Sequence, residues 1–421
     1  MTKSGHFWPS SGARGSQEPD RPKSESGVAN ILFTTTGTDG DVLPVLRIGS
    51  RLKTRGHDVT LLTHAGYAGL AAEAGLDFAA LDNATEYNRS VAEGPMVNSP
   101  QGIPEFLRRH YFTKVPLECD LVRQRCRALD TLLVARDLFD IGARIAAEKF
   151  GIPLLWMFVA PSQLLSTQLR RELFARVLAA DVDQLRENLG LPPVTDWDSW
   201  LSYPGRSLGI WPSWFAPPDP AWSAEVVPVG FVLDNEEEST DVPDEIESAL
   251  DAGERPILIT GGTGTFAGAD FYKACADACG QSGQRAILVT RHDALVPHDL
   301  PGSVRHFRHL PLGKLMPFVN VVVHHGGRGT MSCALASGTP QVVLAWGADR
   351  PDNAIRLERL GVAKHLPRSA WTARNVANVL EEVVGSAAIR DRCREIAGRI
   401  IGSNSLNAAC DVIEGGLEAG S

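Results

Sequence analysis

The segment NVVVHHGGRGTMSCALASG combines residue types that can bind an anion. An apolar run, 321–323, leads into two histidines, and a glycine-rich turn then precedes a segment with a helical pattern. Glycines let backbone N–H groups approach a ligand closely, and the N-terminus of a helix favours negative charge. His325 and Thr330 add a ring N–H and a hydroxyl beside Gly327 and Gly329. The string predicts a diphosphate-binding turn, and the alternative is a tight strand-to-helix turn with two packed histidines.

Two weaker signals lie in the same half of the chain. The turn ITGGTGTF follows an apolar run and places Gly262 and Thr263 where they can contact the same diphosphate, although such turns are common without ligands. In WGADRPDNA, Asp349 precedes a helical pattern. Its carboxylate can accept hydrogen bonds from ligand hydroxyl groups, and the alternative is a helix cap.

Asp41, in the segment GTDGDVLP, is the candidate for proton transfer. It lies between a predicted strand and a predicted helix, where a carboxylate can remove the proton of a hydroxyl group. The alternative is again a helix-capping carboxylate, which is common at this position. The spacing alone leaves both interpretations open.

The elements that carry these residues alternate between strand and helix patterns. The run VANILFTTTG is followed by a helical pattern with Val45, Ile48 and Leu52 on one face, and then by the run DVTLLTH. A tryptophan- and proline-rich region, 161–222, interrupts this series, and a second series starts at RPILITGG. Such alternation is typical of parallel sheets. The sequence therefore predicts an α/β protein with two doubly wound, Rossmann-like domains facing a central cleft, where ligands bind beyond the strand ends.

Composition excludes several kinds of partner. The net charge of −9 and the absence of a basic run argue against nucleic acid. No apolar stretch has transmembrane length, and no secretory signal opens the chain, so we expect a soluble protein. The seven scattered cysteines favour a reducing cytoplasm. Cys275 and Cys279 lie one helical turn apart without a nearby histidine, which predicts a buried helix face and no metal site.

Together these motifs resemble those of the GT-B-fold, nucleotide-sugar-dependent glycosyltransferases. GTDGDVLP is similar to the family's GxxGDVxP motif, HHGGRGT to its HHGGxGT donor motif, and GADRPDNAIRLERLG to its DQxxNAxRxxxLG segment. The resemblance runs from about residue 28 to about residue 382 and is weakest over 84–125, the part that usually shapes the acceptor pocket. It is closest to the bacterial natural-product, rhamnosyltransferase and sterol glucosyltransferase-like branch.

This resemblance implies an inverting, metal-independent transfer of a sugar from a UDP- or TDP-sugar to a hydroxyl of a small, largely apolar acceptor, with no cofactor. Asp41 would be the catalytic carboxylate. The implied donor contacts are His325, Gly327, Gly329 and Thr330 at the diphosphate, Gly262 and Thr263 near it, His309 at the base, and Asp349 at the sugar.

Composition and the two alternating series of strand and helix patterns divide the chain. We predict a disordered tail at 1–27, an N-terminal acceptor-binding domain at 28–235, a linker at 236–252, a C-terminal nucleotide-sugar-binding domain at 253–385, and C-terminal helices at 386–421 that can pack back on the N-terminal domain.

At two positions the chain departs from the family pattern. Arg350 replaces the usual glutamine after the acid, which leaves the choice of donor sugar open. Arg328 replaces a small or apolar residue, and its cation can either strengthen diphosphate binding or point into solvent.

Two other functions are compatible with this fold. One is a nucleotide-sugar epimerase, which the tryptophan-rich region disfavours because an epimerase needs no apolar acceptor pocket. The other is a non-catalytic protein that binds nucleotides or aglycones. The presence of Asp41, His325 and Asp349 together weighs against it.

Overall fold

The structure is a computed structural model that describes residues 28–127, 130–137, 139–165, 167–203, 205–222, 224–233, 250 and 254–419. The predicted tail and almost all of the predicted linker lie outside the described residues.

The first half of the chain forms a seven-stranded parallel sheet with the order β3-β2-β1-β4-β5-β6-β7. Strands β1 and β4 are almost wholly buried, as expected for apolar runs covered by helices on both faces. The strands are β1 Asn30–Thr34, β2 Asp58–Thr63, β3 Asp77–Ala80, β4 Thr131–Arg136, β5 Leu154–Phe158, β6 Arg206–Gly209 and β7 Glu225–Pro228.

The second half forms a six-stranded parallel sheet with the order β10-β9-β8-β11-β12-β13. In both sheets the chain first builds outward on one side and then returns to the middle, so each has a switch point, between β1 and β4 and between β8 and β11. The strands are β8 Ile257–Thr260, β9 Ala286–Val289, β10 Val304–Phe307, β11 Val321–His324, β12 Gln341–Val343 and β13 Ala363–His365.

Helices cover both sheets. In the first half they are α1 Asp39–Thr54, α2 Ala68–Glu73, α3 Ala84–Glu93, α4 Gly102–His110, α5 Val115–Arg125, α6 Ile141–Phe150, α7 Ser162–Leu165, α8 Thr167–Arg171, α9 Ala179–Asn188 and α10 Trp197–Trp200. In the second half they are α11 Gly268–Ser282, α12 Leu312–Leu315, α13 Arg328–Ser337, α14 Arg350–Arg359, α15 Ala373–Gly385, α16 Ala387–Ile400 and α17 Ser405–Ala419. The predicted apolar face of α1 is buried at Val45, Ile48 and Leu52.

The two last helices pack on different halves of the molecule. Helix α16 packs on α13 in the second half, whereas α17 crosses back and packs on α1, β4 and β6. Ala409, Cys410 and Ile413 of α17 are fully buried in the same apolar cluster as the strands of the first sheet.

The prediction of two doubly wound parallel-sheet domains is confirmed. No helix in the described part of the chain is long and apolar enough to cross a bilayer.

Candidate active site

A cavity of about 1130 Å³ lies between the two sheets, at the carboxyl ends of their strands. Its walls come from both halves of the chain, and both switch points open into it, as is usual for ligand sites in doubly wound sheets. All eleven site residues predicted from the sequence line it: Asp41, Gly262, Thr263, His309, His325, Gly327, Arg328, Gly329, Thr330, Asp349 and Arg350.

The two histidines at the end of β11 have different surroundings. His324 is fully buried, where its Nε2 pairs with Gln341 Oε1 at 2.9 Å and its Nδ1 accepts the Gly326 N–H at 3.1 Å. Burial lowers the pKa of His324 to about 4. Both ring nitrogens of His324 are therefore engaged in holding the turn after β11, and His325 is left as the histidine that can contact a ligand.

His325 lies between two glycines. A Cβ added at Gly262 would come within 2.7 Å of the His325 ring, and one added at Gly327 within 2.4 Å, so both positions need a residue without a side chain. Burial, and then the charge of Arg350, lower the pKa of His325 well below its usual value. The ring is therefore neutral and can donate a single N–H to a phosphate oxygen.

Helix α13 presents a free N-terminus to the cavity. Its N-cap, Gly327, has no side chain to accept the first backbone N–H groups, which remain available to a ligand. These groups and the helix dipole attract negative charge. Thr330, in the first turn, also lines the cavity. The arrangement fits the diphosphate that the sequence predicts here.

Asp41 serves as a cap and also faces the cavity. Helix α1 begins one residue after Thr38, whose backbone N–H donates to Asp41 Oδ2 at 2.9 Å. The other oxygen forms an ion pair with Nη1 of Arg136, at the end of β4. Only 20% of the Asp41 side chain and 11% of the Arg136 side chain are exposed. Arg136 was not predicted from the sequence, although its place at the end of β4, at the switch point, was a usable signal.

Asp349 is the N-cap of α14, which begins at Arg350. Asn353 donates to Asp349 Oδ2 at 2.8 Å and to the Gly326 carbonyl at 3.0 Å, so it ties the acid to the turn after β11. Burial raises the pKa of Asp349. The preceding Ala348 has a φ of 49°, an unfavourable conformation for alanine that fixes the direction of the acid.

The side chain of Arg350 spans the cavity wall. Its guanidinium stacks on Phe266 at 4.3 Å from the ring centre and donates to the Trp346 carbonyl at 2.6 Å. It also lies 3.5 Å from Asn98 of the first half. Burial lowers the pKa of Arg350.

Arg328 crosses the cavity between the two helix N-termini. It is 7% exposed, and its Nη2 donates to the carbonyl of Gly40 in α1. The alternative that it points into solvent is therefore wrong. Its cation therefore lies between the turn after β11 and the helix that carries Asp41.

His309 lies at the rim of the cavity. It is exposed in the loop after β10, and the neighbouring Leu310 anchors that loop in the core.

The two halves of the chain each match a family of known proteins. The profile of the glycosyltransferase family 28 N-terminal domain matches residues 31–167, and that of the erythromycin biosynthesis protein CIII-like C-terminal domain matches residues 284–405. The chain is a glycosyltransferase of the GT-B fold. Glycosyltransferase GtfE of Amycolatopsis orientalis is 26% identical over 91% of this chain and 96% of its own. The vancomycin aglycone glucosyltransferase of the same organism is 27% identical over 79% of this chain and 84% of its own.

Solved structures have the same fold. The calicheamicin glycosyltransferase CalG4 superposes with a TM-score of 0.67 at 19% identity, over 93% of this chain and 98% of its own. The glycosyltransferase VinC, solved in complex with DTDP, superposes with a TM-score of 0.65 at 20% identity, over 93% of this chain and all of its own.

An apolar patch forms part of the first-half wall of the glycosyltransferase cavity, beside charged residues such as Arg136 and Arg170. Its side chains come from α4 and its surroundings and from the loops after β4 and β5, including Ile103, Phe106, Leu107, Tyr111, Phe139 and Val159. Most of them fall in the region 84–125, where the family resemblance is weakest.

The tryptophans of the region 161–222 do not line the cavity. Trp200 and Trp211 are buried in the core, while Trp197, Trp214 and Trp222 pack against it. These tryptophans therefore form no acceptor pocket, and they do not disfavour an epimerase. From the same region, Leu169 and Arg170 do line the cavity.

Proposed function

We propose that this glycosyltransferase transfers a sugar, with inversion and without a metal ion, from a UDP- or TDP-sugar to a hydroxyl of a small, largely apolar acceptor. The proposal rests mainly on one observation: a single cavity has one wall suited to an anion and another suited to an apolar molecule. One wall holds the uncapped N-terminus of α13 with His325, and the other holds Asp41 above an apolar surface.

The donor would lie along the second-half wall. The backbone N–H groups of the turn after β11, Thr330 and the His325 N–H would bind the diphosphate, while Asp349 and Arg350 contact the sugar and His309 contacts the base. Gly262 and Thr263 close the turn from the opposite side. The DTDP complex of VinC supports a nucleotide diphosphate in this class of protein.

The acceptor would lie against the apolar wall of the first half. The name of the vancomycin aglycone glucosyltransferase supports a natural-product acceptor, and the side chains of Phe106, Leu107 and Phe139 suit an apolar one. The hydroxyl that reacts must then reach Asp41, which lies where this wall meets the donor wall.

In the reaction, Asp41 removes the proton of the acceptor hydroxyl while that oxygen forms a bond to the anomeric carbon. The bond from this carbon to the diphosphate oxygen breaks, and its electron pair stays on the leaving diphosphate. The helix dipole of α13, the His325 N–H and the Arg328 cation stabilise that charge. Because attack comes from the side opposite the leaving group, the configuration inverts.

The test is a screen of UDP- and dTDP-sugars with a panel of apolar alcohols, after a thermal-shift screen has selected donors that stabilise the protein. We expect a glycosylated alcohol whose anomeric configuration, read by NMR, is opposite to that of the donor, at a rate that EDTA leaves unchanged. Retained configuration, or a rate that EDTA abolishes and a divalent cation restores, would contradict the proposal. An isomerised donor formed without acceptor would support an epimerase, and donor binding with no reaction would support a non-catalytic protein.

A further inference from the structure

His64 lies beside the predicted base, and the mechanism above gives it no role. It follows β2, the neighbour of β1, is 3% exposed and lines the cavity near Gly37 and Asp41. Its ring is held on both sides by hydrogen bonds.

The first bond fixes which ring nitrogen carries the proton. His64 Nδ1 lies 2.5 Å from Asp82 Oδ2, and the same oxygen accepts from Lys114 Nζ at 2.7 Å. Burial raises the pKa of Asp82, but the hydrogen bonds from His64 and Lys114 outweigh it and lower that pKa to about 2. An ionised Asp82 only accepts, so Nδ1 is the protonated nitrogen and Nε2 keeps its lone pair.

The second bond holds the turn before α1. The Gly37 N–H donates to His64 Nε2 at 2.9 Å. Gly37 has a φ of +130°, and a Cβ added to it would lie 2.2 Å from Asp41 Oδ2. The next backbone N–H, that of Thr38, donates to this same oxygen. The peptide that His64 holds is therefore packed directly against the carboxylate.

We propose that His64 is a positioning residue for Asp41. Its Nε2 fixes the Gly37 peptide, and that peptide fixes the direction of the Asp41 carboxylate toward the acceptor hydroxyl. This inference rests on the proposed role of Asp41. His64 is not itself the base, because its lone pair is already engaged by the Gly37 N–H.

The charged and titratable groups that face the ring are Asp82 and Lys114 on one side, Tyr87, whose ring centre lies 4.6 Å away, and Asp41. Burial lowers the pKa of His64, so the neutral ring persists below its usual range. When acid finally protonates Nε2, two N–H groups face each other and the Gly37 contact is lost. Turnover should therefore fall as pH falls through that lowered pKa.

The test compares three variants with the donor and alcohol selected by the screen above. His64→Leu removes the acceptor and keeps the volume, and it should lower kcat by about ten- to a hundredfold, as expected for a misplaced reacting group. His64→Gln offers a side-chain oxygen near the Nε2 position and should restore most of this loss. The affinity for dTDP, measured by calorimetry, should stay unchanged in both.

His57 offers a matched control at the opposite end of β2. It is also a buried histidine that accepts a backbone N–H, from Ala29 at 3.2 Å, and pairs with a carboxylate, Glu414, at 3.0 Å. His57→Leu should lower the melting temperature and leave kcat unchanged. If His57→Leu and His64→Leu lower kcat equally, the effect is one of stability and the inference is wrong.

A double-mutant cycle with Asp41→Asn tests the coupling. If His64 acts through Asp41, His64→Leu should cause no further loss once Asp41 is replaced, whereas a separate structural role would multiply the two losses. A normal kcat in His64→Leu beside an inactive Asp41→Asn overturns this inference alone. An unchanged kcat in Asp41→Asn overturns the role of Asp41 and this inference with it.

The hydrogen bond from the Gly37 N–H to His64 Nε2 can also be tested without measuring turnover. In the NMR spectrum of the full chain, the His64 ring should show a protonated Nδ1 and an unprotonated Nε2. The Gly37 amide should exchange with solvent faster in His64→Leu than in the wild type or His64→Gln. Equal exchange in all three proteins would show that His64 does not hold this peptide.

Discussion

The carboxylate of Asp41 caps a helix and faces the cavity at the same time. One oxygen accepts the Thr38 N–H, and the other meets Arg136. The two sequence interpretations, cap and base, are therefore compatible in geometry. Only a substitution that keeps the cap and removes the proton acceptor can separate them.

Asp41→Asn is that substitution, because the asparagine oxygen can still accept the Thr38 N–H, whereas the amide cannot take up a proton. If Asp41 is the base, turnover should fall by about 10²–10⁴-fold, while the affinity for dTDP stays nearly unchanged. The melting temperature should also fall, since Arg136 loses its carboxylate partner. Steady-state kinetics with an aliphatic alcohol acceptor measures the first effect and calorimetry the second.

Asp39 supplies the control for that experiment. It belongs to the same first turn but contacts Tyr67 and Arg291. Asp39→Asn should therefore leave most of the turnover intact. A turnover above about a third of the wild-type value in Asp41→Asn would remove the base role, given the smallest effect expected for such catalysis.

His325 gives a second prediction at the scale of one side chain. His325→Ala removes a hydrogen bond to a charged oxygen, worth about 1.5–3 kcal/mol. The dissociation constant of dTDP should rise by about tenfold or more. The control is His298→Ala, an exposed histidine that does not line the cavity, which should leave this constant unchanged. Equal dTDP affinity in both variants would place His325 outside the donor site.

At the scale of elements, the sequence predicted where the motifs lie because each motif is local. The apolar runs of β1, β8 and β11 and the glycines after them are contiguous in sequence, so the strand-turn-helix units could be recognised. The contacts between distant segments could not. Arg136 meets Asp41 across 95 positions, and Asn98 lies near Arg350 across 252, and nothing in the residue types of either pair indicates the pairing.

Gly262, in the turn after β8, allows a test of one of these strand-turn-helix units. Gly262 has a φ of +78°, and its added Cβ would lie 2.7 Å from the His325 ring. Gly262→Ala should displace that ring, so its loss of dTDP affinity should approach that of His325→Ala. The measurement is calorimetry with dTDP on both variants.

Gly283→Ala is the control that separates the effect of backbone strain from the displacement of the His325 ring. Gly283 has a φ of +68°, but no atom lies near its added Cβ. Gly283→Ala therefore carries a strain of about 1–2 kcal/mol without touching the site. If Gly283→Ala weakens dTDP binding as much as Gly262→Ala does, strain alone explains the loss and the contact with His325 is irrelevant.

At the scale of the whole molecule, the walls of the cavity depend on contacts between the two halves. Thr265 donates to the Val91 carbonyl at 2.8 Å, Arg291 lies 3.3 Å from Asp39, and Arg328 donates to Gly40. The tryptophans of 161–222 illustrate why such a wall could not be predicted. Their residue type suits an aromatic pocket as well as a core, and only the packing of distant segments decides between the two.

The return of α17 to the first sheet is the other long-range feature. Arg55, the C-cap of α1, donates to Asp411 at 2.6 Å and to Glu414 at 2.7 Å. Cys410 and Ile413 of the same helix are fully buried against the first sheet. Helix α17 therefore completes the apolar core that α1, the helix of Asp41, shares with the first sheet, more than three hundred positions earlier in the chain.

Ile413→Ala tests this dependence. Removing a large buried side chain leaves a cavity, so the free energy of unfolding of the first half should fall by about 2–5 kcal/mol. The control is Ile401→Ala, since Ile401 is 74% exposed between α16 and α17 and should change stability by less than about 0.5 kcal/mol. Urea unfolding measures the total loss of stability, and amide exchange in β1 and in β8 shows whether the loss lies in the first or the second half. Equal amide-exchange protection of β1 in the two variants would mean that α17 does not stabilise the first sheet. If β1 loses protection only in Ile413→Ala, helix α17 stabilises the sheet on which α1 and Asp41 lie.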